Sequence, residues 1–273
     1  MKKIDRLGWT AGFAFTSFGV RVGVRVNDAS VLESLVEYLP PVWRTSTVAT
    51  VDKLYSLLVG GEGTRPGVRR FSLLYSDAQR IGRSVDLAEV FEVFQSDLHL
   101  HVAEMSPRRV FVHAGVVGWR GQAILIPGRS FSGKTSLVAE LVKAGATYYS
   151  DEYAVLDSKG MVHPFSRPLA IREGEGPQQT KYRVEELGGK AGHGPLPVGL
   201  VVVSQYKQDG KWRPRRLSAG QGALALLDNT VSIRRQPQFA FEAVQPLASH
   251  AEFLKSDRGE AEQVVRYILD RAS

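Results

Sequence analysis

The chain has 273 residues, 43% hydrophobic and 23% charged, enough for an ordinary buried core and long enough for one large domain or two small ones. It contains no cysteine, which removes disulfide staples, thiol nucleophiles and cysteine-based zinc sites, and its formal net charge of +7 suits an anionic ligand. No apolar run approaches the ~20 residues that span a bilayer, and residues 1–10 mix charged and apolar side chains instead of forming a secretory leader, so a cytoplasmic protein without membrane contact is expected.

Residues 1–105 read as a small α+β unit suited to holding a substrate or partner. Alternation over 13–26 predicts a strand, 31–39 a helix ended by Pro40-Pro41, and 70–75 another strand. Asp86 is the expected N-cap of a helix whose Leu87, Val90, Phe91, Phe94 and Leu98 recur at three- and four-residue spacing. His99 and His101 lie in that helix, two positions apart, and so project to roughly opposite sides, which argues against a shared metal.

Residues 106–273 read as an α/β domain. The β-rich stretches 110–117 and 122–126 flank Gly118-Trp119-Arg120-Gly121, a tight hairpin. Facing Gly118 with Gly121 pairs His113 with Ile126, beside the glycine-rich loop that follows. A helix over 136–144 closed by Gly145, a strand over 147–150, a loop or short broken helix over 173–197, a strand over 198–203, a helix over 219–227 behind Ser218 and a final helix over 260–270 complete it. The basic clusters Arg108-Arg109, 211–216 and Arg234-Arg235 are read as solvated surface, because no recognition helix or aromatic RNA-binding strand accompanies them. Nucleic acid is therefore not an expected partner.

The run Gly128-Arg129-Ser130-Phe131-Ser132-Gly133-Lys134-Thr135 fits G-x-x-x-x-G-K-[ST] between an apolar strand and an amphipathic helix. The glycines let backbone N–H groups turn toward phosphate oxygens, and the helix adds the positive end of its dipole. Gly128, Ser130, Ser132, Gly133, Lys134, Thr135 and Ser136 are the candidate nucleotide contacts; Lys134 would reach the β and γ phosphates and the Thr135 hydroxyl would ligate Mg²⁺. Asp151-Glu152 ends the strand after the loop's helix, and a right-handed crossover brings both acids to the phosphate edge of the sheet, where one can hold metal and the other accept a hydroxyl proton. Downstream, Arg167 and Arg172 could neutralise transferring phosphoryl charge.

Together, His113 in Val110-Phe111-Val112-His113-Ala114-Gly115-Val116-Val117, the loop and Asp151-Glu152 resemble the catalytic domain of HPr kinase/phosphorylase and its looser relatives, P-loop serine kinases that include lasso-peptide-tailoring enzymes. The resemblance implies a P-loop kinase domain of the HPr kinase type behind the smaller N-terminal unit. It implies ATP and Mg²⁺, and transfer of the γ-phosphoryl group to a serine-type hydroxyl of a protein, a peptide or a small molecule. By position, Asp151 inherits the role of catalytic base, Glu152 that of metal ligand alongside Thr135, and His113 and Lys134 an active-site place; Glu152 stands where the family carries Asp. A homo-oligomer is compatible with the family. The alternative is a nucleotide-dependent binding module or switch that grips nucleotide without transfer.

Overall fold

The computed structural model describes residues 3–48, 50–61, 70–129, 132–172 and 179–272. The chain is mixed α/β and divides into two compact units, Met1–Pro107 and Arg108–Ser273.

In the first unit β1 (Ala11–Ser17), β2 (Val20–Val26), α1 (Leu32–Val36), β3 (Arg44–Thr45), β4 (Lys53–Leu58), β5 (Ser72–Ser76), β6 (Gln79–Ser84) and α2 (Leu87–Met105) follow in order, and the strands form one sheet, β3-β1-β2-β4-β5-β6. The single strand expected over 13–26 is two strands, because Phe18 and Gly19 both take positive φ (47° and 87°) and turn the chain back on itself. Val20, Val22, Val24 and Val26 point into the core while Arg21 and Arg25 point out and pair with Asp52 and Asp5, the period-2 pattern of a half-buried strand. The helix expected over 31–39 shrinks to α1 after a 3-10 turn at Ala29–Val31. Asp86 caps α2 by accepting from the Ala88 N–H at 2.9 Å. The helix places His99 in the core and leaves His101 half-buried.

In the second unit β7 (Val110–Trp119), β8 (Gln122–Pro127), α3 (Lys134–Lys143), β9 (Thr147–Ser150), β10 (Tyr153–Leu156), β11 (Val162–His163), β12 (Leu169–Arg172), β13 (Gln179–Tyr182), β14 (Val198–Tyr206), β15 (Arg215–Arg216), α4 (Ala219–Leu227), α5 (Pro237–His250), β16 (Glu252–Arg258) and α6 (Glu262–Arg271) build a mixed sheet of order β11-β10-β7-β8-β14-β16-β15, with β9 also on β7. Strand β14 is parallel to both β8 and β16, whereas β7 is antiparallel to β8. Helices cover both faces. Ile124 and Ile126 of β8 pack with Leu137, Val138 and Leu141 of α3 and with Ile268 of α6, while Ala123 and Leu125 face Leu226 of α4 and Val244 of α5. Ser218 and Gln221 form a reciprocal capping box at the start of α4. Part of the segment expected as loop is ordered otherwise: β13 pairs with β12, and a 3-10 turn follows at Val184–Leu187. Residues 173–178 lie outside the described residues. Among the described residues no helix is long and apolar enough to cross a membrane.

Gly115 sets the distance between β7 and α3. A Cβ there would stand 2.5 Å from Val138 Cγ2, so Gly115→Ala should destabilise the domain by about 1–3 kcal/mol through overpacking, measurable by denaturant unfolding.

Candidate active site

The turn of the β7–β8 hairpin fixes how the site begins. Trp119 faces Gln122 across Arg120-Gly121, which take φ of 47° and 80°; a two-residue turn of this hand needs positive φ at both positions, and only this placement puts a glycine at one of them. The register is therefore shifted from the sequence expectation. Gly115, not His113, faces Ile126, and the His113 carbonyl accepts from the Gly128 N–H at 3.1 Å, so His113 lies directly beside the first residue of the loop.

From Gly128 the chain turns at the end of β8 and enters α3 at Lys134. A Cβ on Gly128 would stand 2.6 Å from Ser132 Oγ, so the two residues fold tightly together, and that buried hydroxyl has no hydrogen-bond partner among the described residues. Gly133 adopts φ 84° and starts α3 without a side-chain cap, leaving the helix's first-turn N–H groups to be satisfied from outside the chain's own caps. Ser136 is exposed on that turn, and Ser130 lies outside the described residues. Lys134 Nζ donates to the Arg129 carbonyl at 2.8 Å. Burial pulls the lysine below its ordinary pKa, and Asp151 and Glu152 oppose the shift.

Strands β8 and β9 both run antiparallel to β7 and thus parallel to each other, so they end at the same edge. Ser150 faces Val116 and Tyr153 faces His113; Asp151 and Glu152 occupy the break between β9 and β10, where the Glu152 carbonyl accepts from the Ala114 N–H at 3.0 Å. The break projects the acids toward the loop. The Thr135 hydroxyl donates to Asp151 Oδ2 at 3.2 Å. The Tyr148 hydroxyl sits between Asp151 Oδ1 at 3.1 Å and the Arg167 carbonyl at 2.9 Å, and burial followed by the Asp151 charge pushes its pKa far up, so it remains a donor.

Arg167 closes the network, with Nη1 2.6 Å from Glu152 Oε2 and Nε 3.6 Å from Asp151 Oδ1. Burial works against its charge, and the two acids more than compensate. Glu152 is pushed above the usual carboxylate range, first by burial and further by Asp151, with Arg167 and Lys134 pulling the other way. The His113 ring rests on Tyr153 with centroids 4.9 Å apart; burial and Lys134 hold its pKa down, so it is neutral at pH 7. The Arg172 side chain lies outside the described residues.

His113, Gly128, Ser132, Lys134, Thr135, Asp151 and Glu152 thus gather at one edge of one sheet, and Arg167 reaches them from the segment between β11 and β12. Tyr148 joins them without having been expected, although its place three residues before Asp151 in a buried strand was a usable signal. Among the described residues no group of three or more His, Asp or Glu could hold a metal unaided. The donor set still fits Mg²⁺, which takes one or two carboxylates and completes its shell with water and phosphate oxygens. Compared with protein-family models and with curated proteins, the chain matches none.

Proposed function

We propose that the second unit is a P-loop kinase domain of the HPr kinase type that transfers the γ-phosphoryl group of ATP to a serine-type hydroxyl of a protein or peptide. The observation that carries this reading is the 3.2 Å hydrogen bond from Thr135 to Asp151, which joins the phosphate loop to an acid pair on the same sheet edge. Bound Mg²⁺ would supply charge neutralisation between the β and γ phosphates. The chain's own residues do the rest. Backbone N–H groups of the loop and Lys134 hold the phosphates, and Arg167, which pairs with the acids in the ligand-free protein, would stabilise the oxygens that gain charge during transfer. The acceptor oxygen attacks the γ phosphorus, the bond to the bridging β–γ oxygen breaks, ADP leaves, and the hydroxyl proton passes to a carboxylate.

The geometry supports a division of labour opposite to the one implied by the family resemblance. Asp151, its side chain 2% exposed and hydrogen-bonded by Thr135, suits the metal side. Glu152, 26% exposed and raised in pKa, is reachable by an incoming hydroxyl and tuned toward proton acceptance. His113, neutral beside Lys134, is placed to orient and not to carry charge. The test is incubation with γ-labelled ATP, Mg²⁺ and candidate acceptor peptides, with labelled serine expected. Tight nucleotide binding with no acceptor ever labelled would favour a nucleotide-dependent switch instead.

A further inference from the structure

Arg258 ends β16, two strands away from β8, and its side chain runs back under the phosphate loop. Only 1% of the residue is exposed. Nη2 donates to the Gly133 carbonyl, Nη1 donates to the Gly259 carbonyl at 2.9 Å, and Nε has no partner among the described residues. The guanidinium lies 5.8 Å from the centre of the Tyr206 ring, and the Tyr206 N–H donates to the Ser132 carbonyl at 3.1 Å. The last two loop residues before α3 are therefore pinned from behind by the ends of β14 and β16. The packing is tight: a Cβ on Gly133 would stand 2.5 Å from Arg258 Nη2.

A buried guanidinium normally has a carboxylate partner, because an uncompensated charge in the interior is costly. None of the ion pairs among the described residues includes Arg258; Glu260, the acid that acts on it, is engaged by the Tyr206 hydroxyl at 3.2 Å. This charge sits behind the positive end of α3, on the side of the loop away from Asp151 and Glu152, which act on Lys134, and Arg258 itself has only the longer-range influence of Glu260.

We propose that Arg258 is a positioning residue for polyphosphate: it fixes Gly133 in the binding conformation of the loop, and its buried charge, which no carboxylate pairs directly, is balanced by the ligand's phosphates. This rests on the nucleotide reading above. The consequence is a trade between stability and binding. In the ligand-free protein the charge is a burden, and in the complex it is an asset.

The experiment uses the full chain with ATP, inorganic triphosphate and adenosine as probes, measuring affinity by calorimetry and the melting temperature without ligand. Arg258→Gln, which keeps a donor for Gly133 and removes the charge, should melt at or above the wild-type temperature. It should bind ATP and triphosphate roughly 10- to 100-fold more weakly, the scale of one nearby charge at an intermediate dielectric, with adenosine unaffected. Arg258→Lys, which keeps the charge, should recover most of the triphosphate affinity and provides the comparison should the glutamine variant fold poorly. Unchanged triphosphate affinity in folded Arg258→Gln, or equal weakening in Arg258→Lys and Arg258→Gln, overturns the proposal while leaving the nucleotide reading intact. Failure of the wild-type protein to bind ATP or triphosphate overturns both.

Discussion

Lys134→Ala should reduce phosphoryl transfer by at least roughly 10²- to 10³-fold, the cost of deleting one pre-positioned donor to a developing oxyanion, and weaken ATP binding alongside. The melting temperature should stay near that of the wild type. Nζ makes one hydrogen bond, to the Arg129 carbonyl of its own loop, and losing such a bond costs about 1 kcal/mol. Against that loss stands a gain, since burial already disfavours the ammonium when no phosphate is present. Affinity, transfer rate and unfolding measured on the same preparation separate a lost ligand contact from a damaged fold. Wild-type turnover in a folded Lys134→Ala protein would remove the loop from the mechanism.

The glycine-rich loop is legible in the sequence because its fixed positions demand particular residue types. Gly133 takes a positive φ, Gly128 has no room for a Cβ beside Ser132, lysine and threonine stand where α3 begins, and the apolar residues before them lie on both faces of β8. The placement of Asp151 and Glu152 is legible for a different reason, since a strand, helix, strand succession with a short return leaves few arrangements. What local pattern does not specify is the register of the hairpin. Both Gly118 and Gly121 can mark the turn, and only the requirement for positive φ at 120 and 121 selects between them.

Other elements are hidden by their composition. Helix α5 begins at Pro237 and carries Pro246 within it, a composition that does not announce a helix, although Ala240, Ala243, Val244 and Leu247 bury a continuous face. Strand β16 buries Phe253 and Leu254 in succession, then Ser256 and Arg258 between exposed Lys255 and Asp257, so half of its buried positions are polar and no apolar alternation marks it. Missing that strand means missing Arg258, whose position depends on a partner 125 residues earlier in the chain. Arg167 was visible only as one arginine of two, and its selection comes from packing against Tyr148 and the acids.

Asp151→Asn and Glu152→Gln should fail in different ways. Asn can still accept the Thr135 hydrogen bond, so the loop should keep its shape, but the neutral amide is a poor ligand for a hard cation. The expected result is a higher Mg²⁺ requirement and weaker binding of Mg·ATP, with the transfer rate partly restored at high Mg²⁺. Glu152→Gln keeps shape and removes proton acceptance, so transfer should fall by ~10²- to 10⁴-fold at every Mg²⁺ concentration, with ATP affinity little changed. The pH profile adds an independent axis. A base acts when deprotonated, so wild-type activity should fall as pH drops through the pKa of Glu152, and because burial raises that pKa the inflection should lie above the ordinary carboxylate range. His113, held below its ordinary value, should not contribute an inflection near neutrality. Glu152→Gln should flatten this acid limb in the residual activity, whereas Asp151→Asn, which removes a repelling neighbour, should shift it to lower pH. If the two phenotypes are exchanged, with Asp151→Asn losing transfer at saturating Mg²⁺ and Glu152→Gln altering the metal requirement, the assignment implied by the HPr kinase resemblance is the correct one. If both variants transfer phosphate at the wild-type rate, the acid pair serves only to anchor Arg167 and Thr135, and the proton acceptor must be sought elsewhere on the sheet edge.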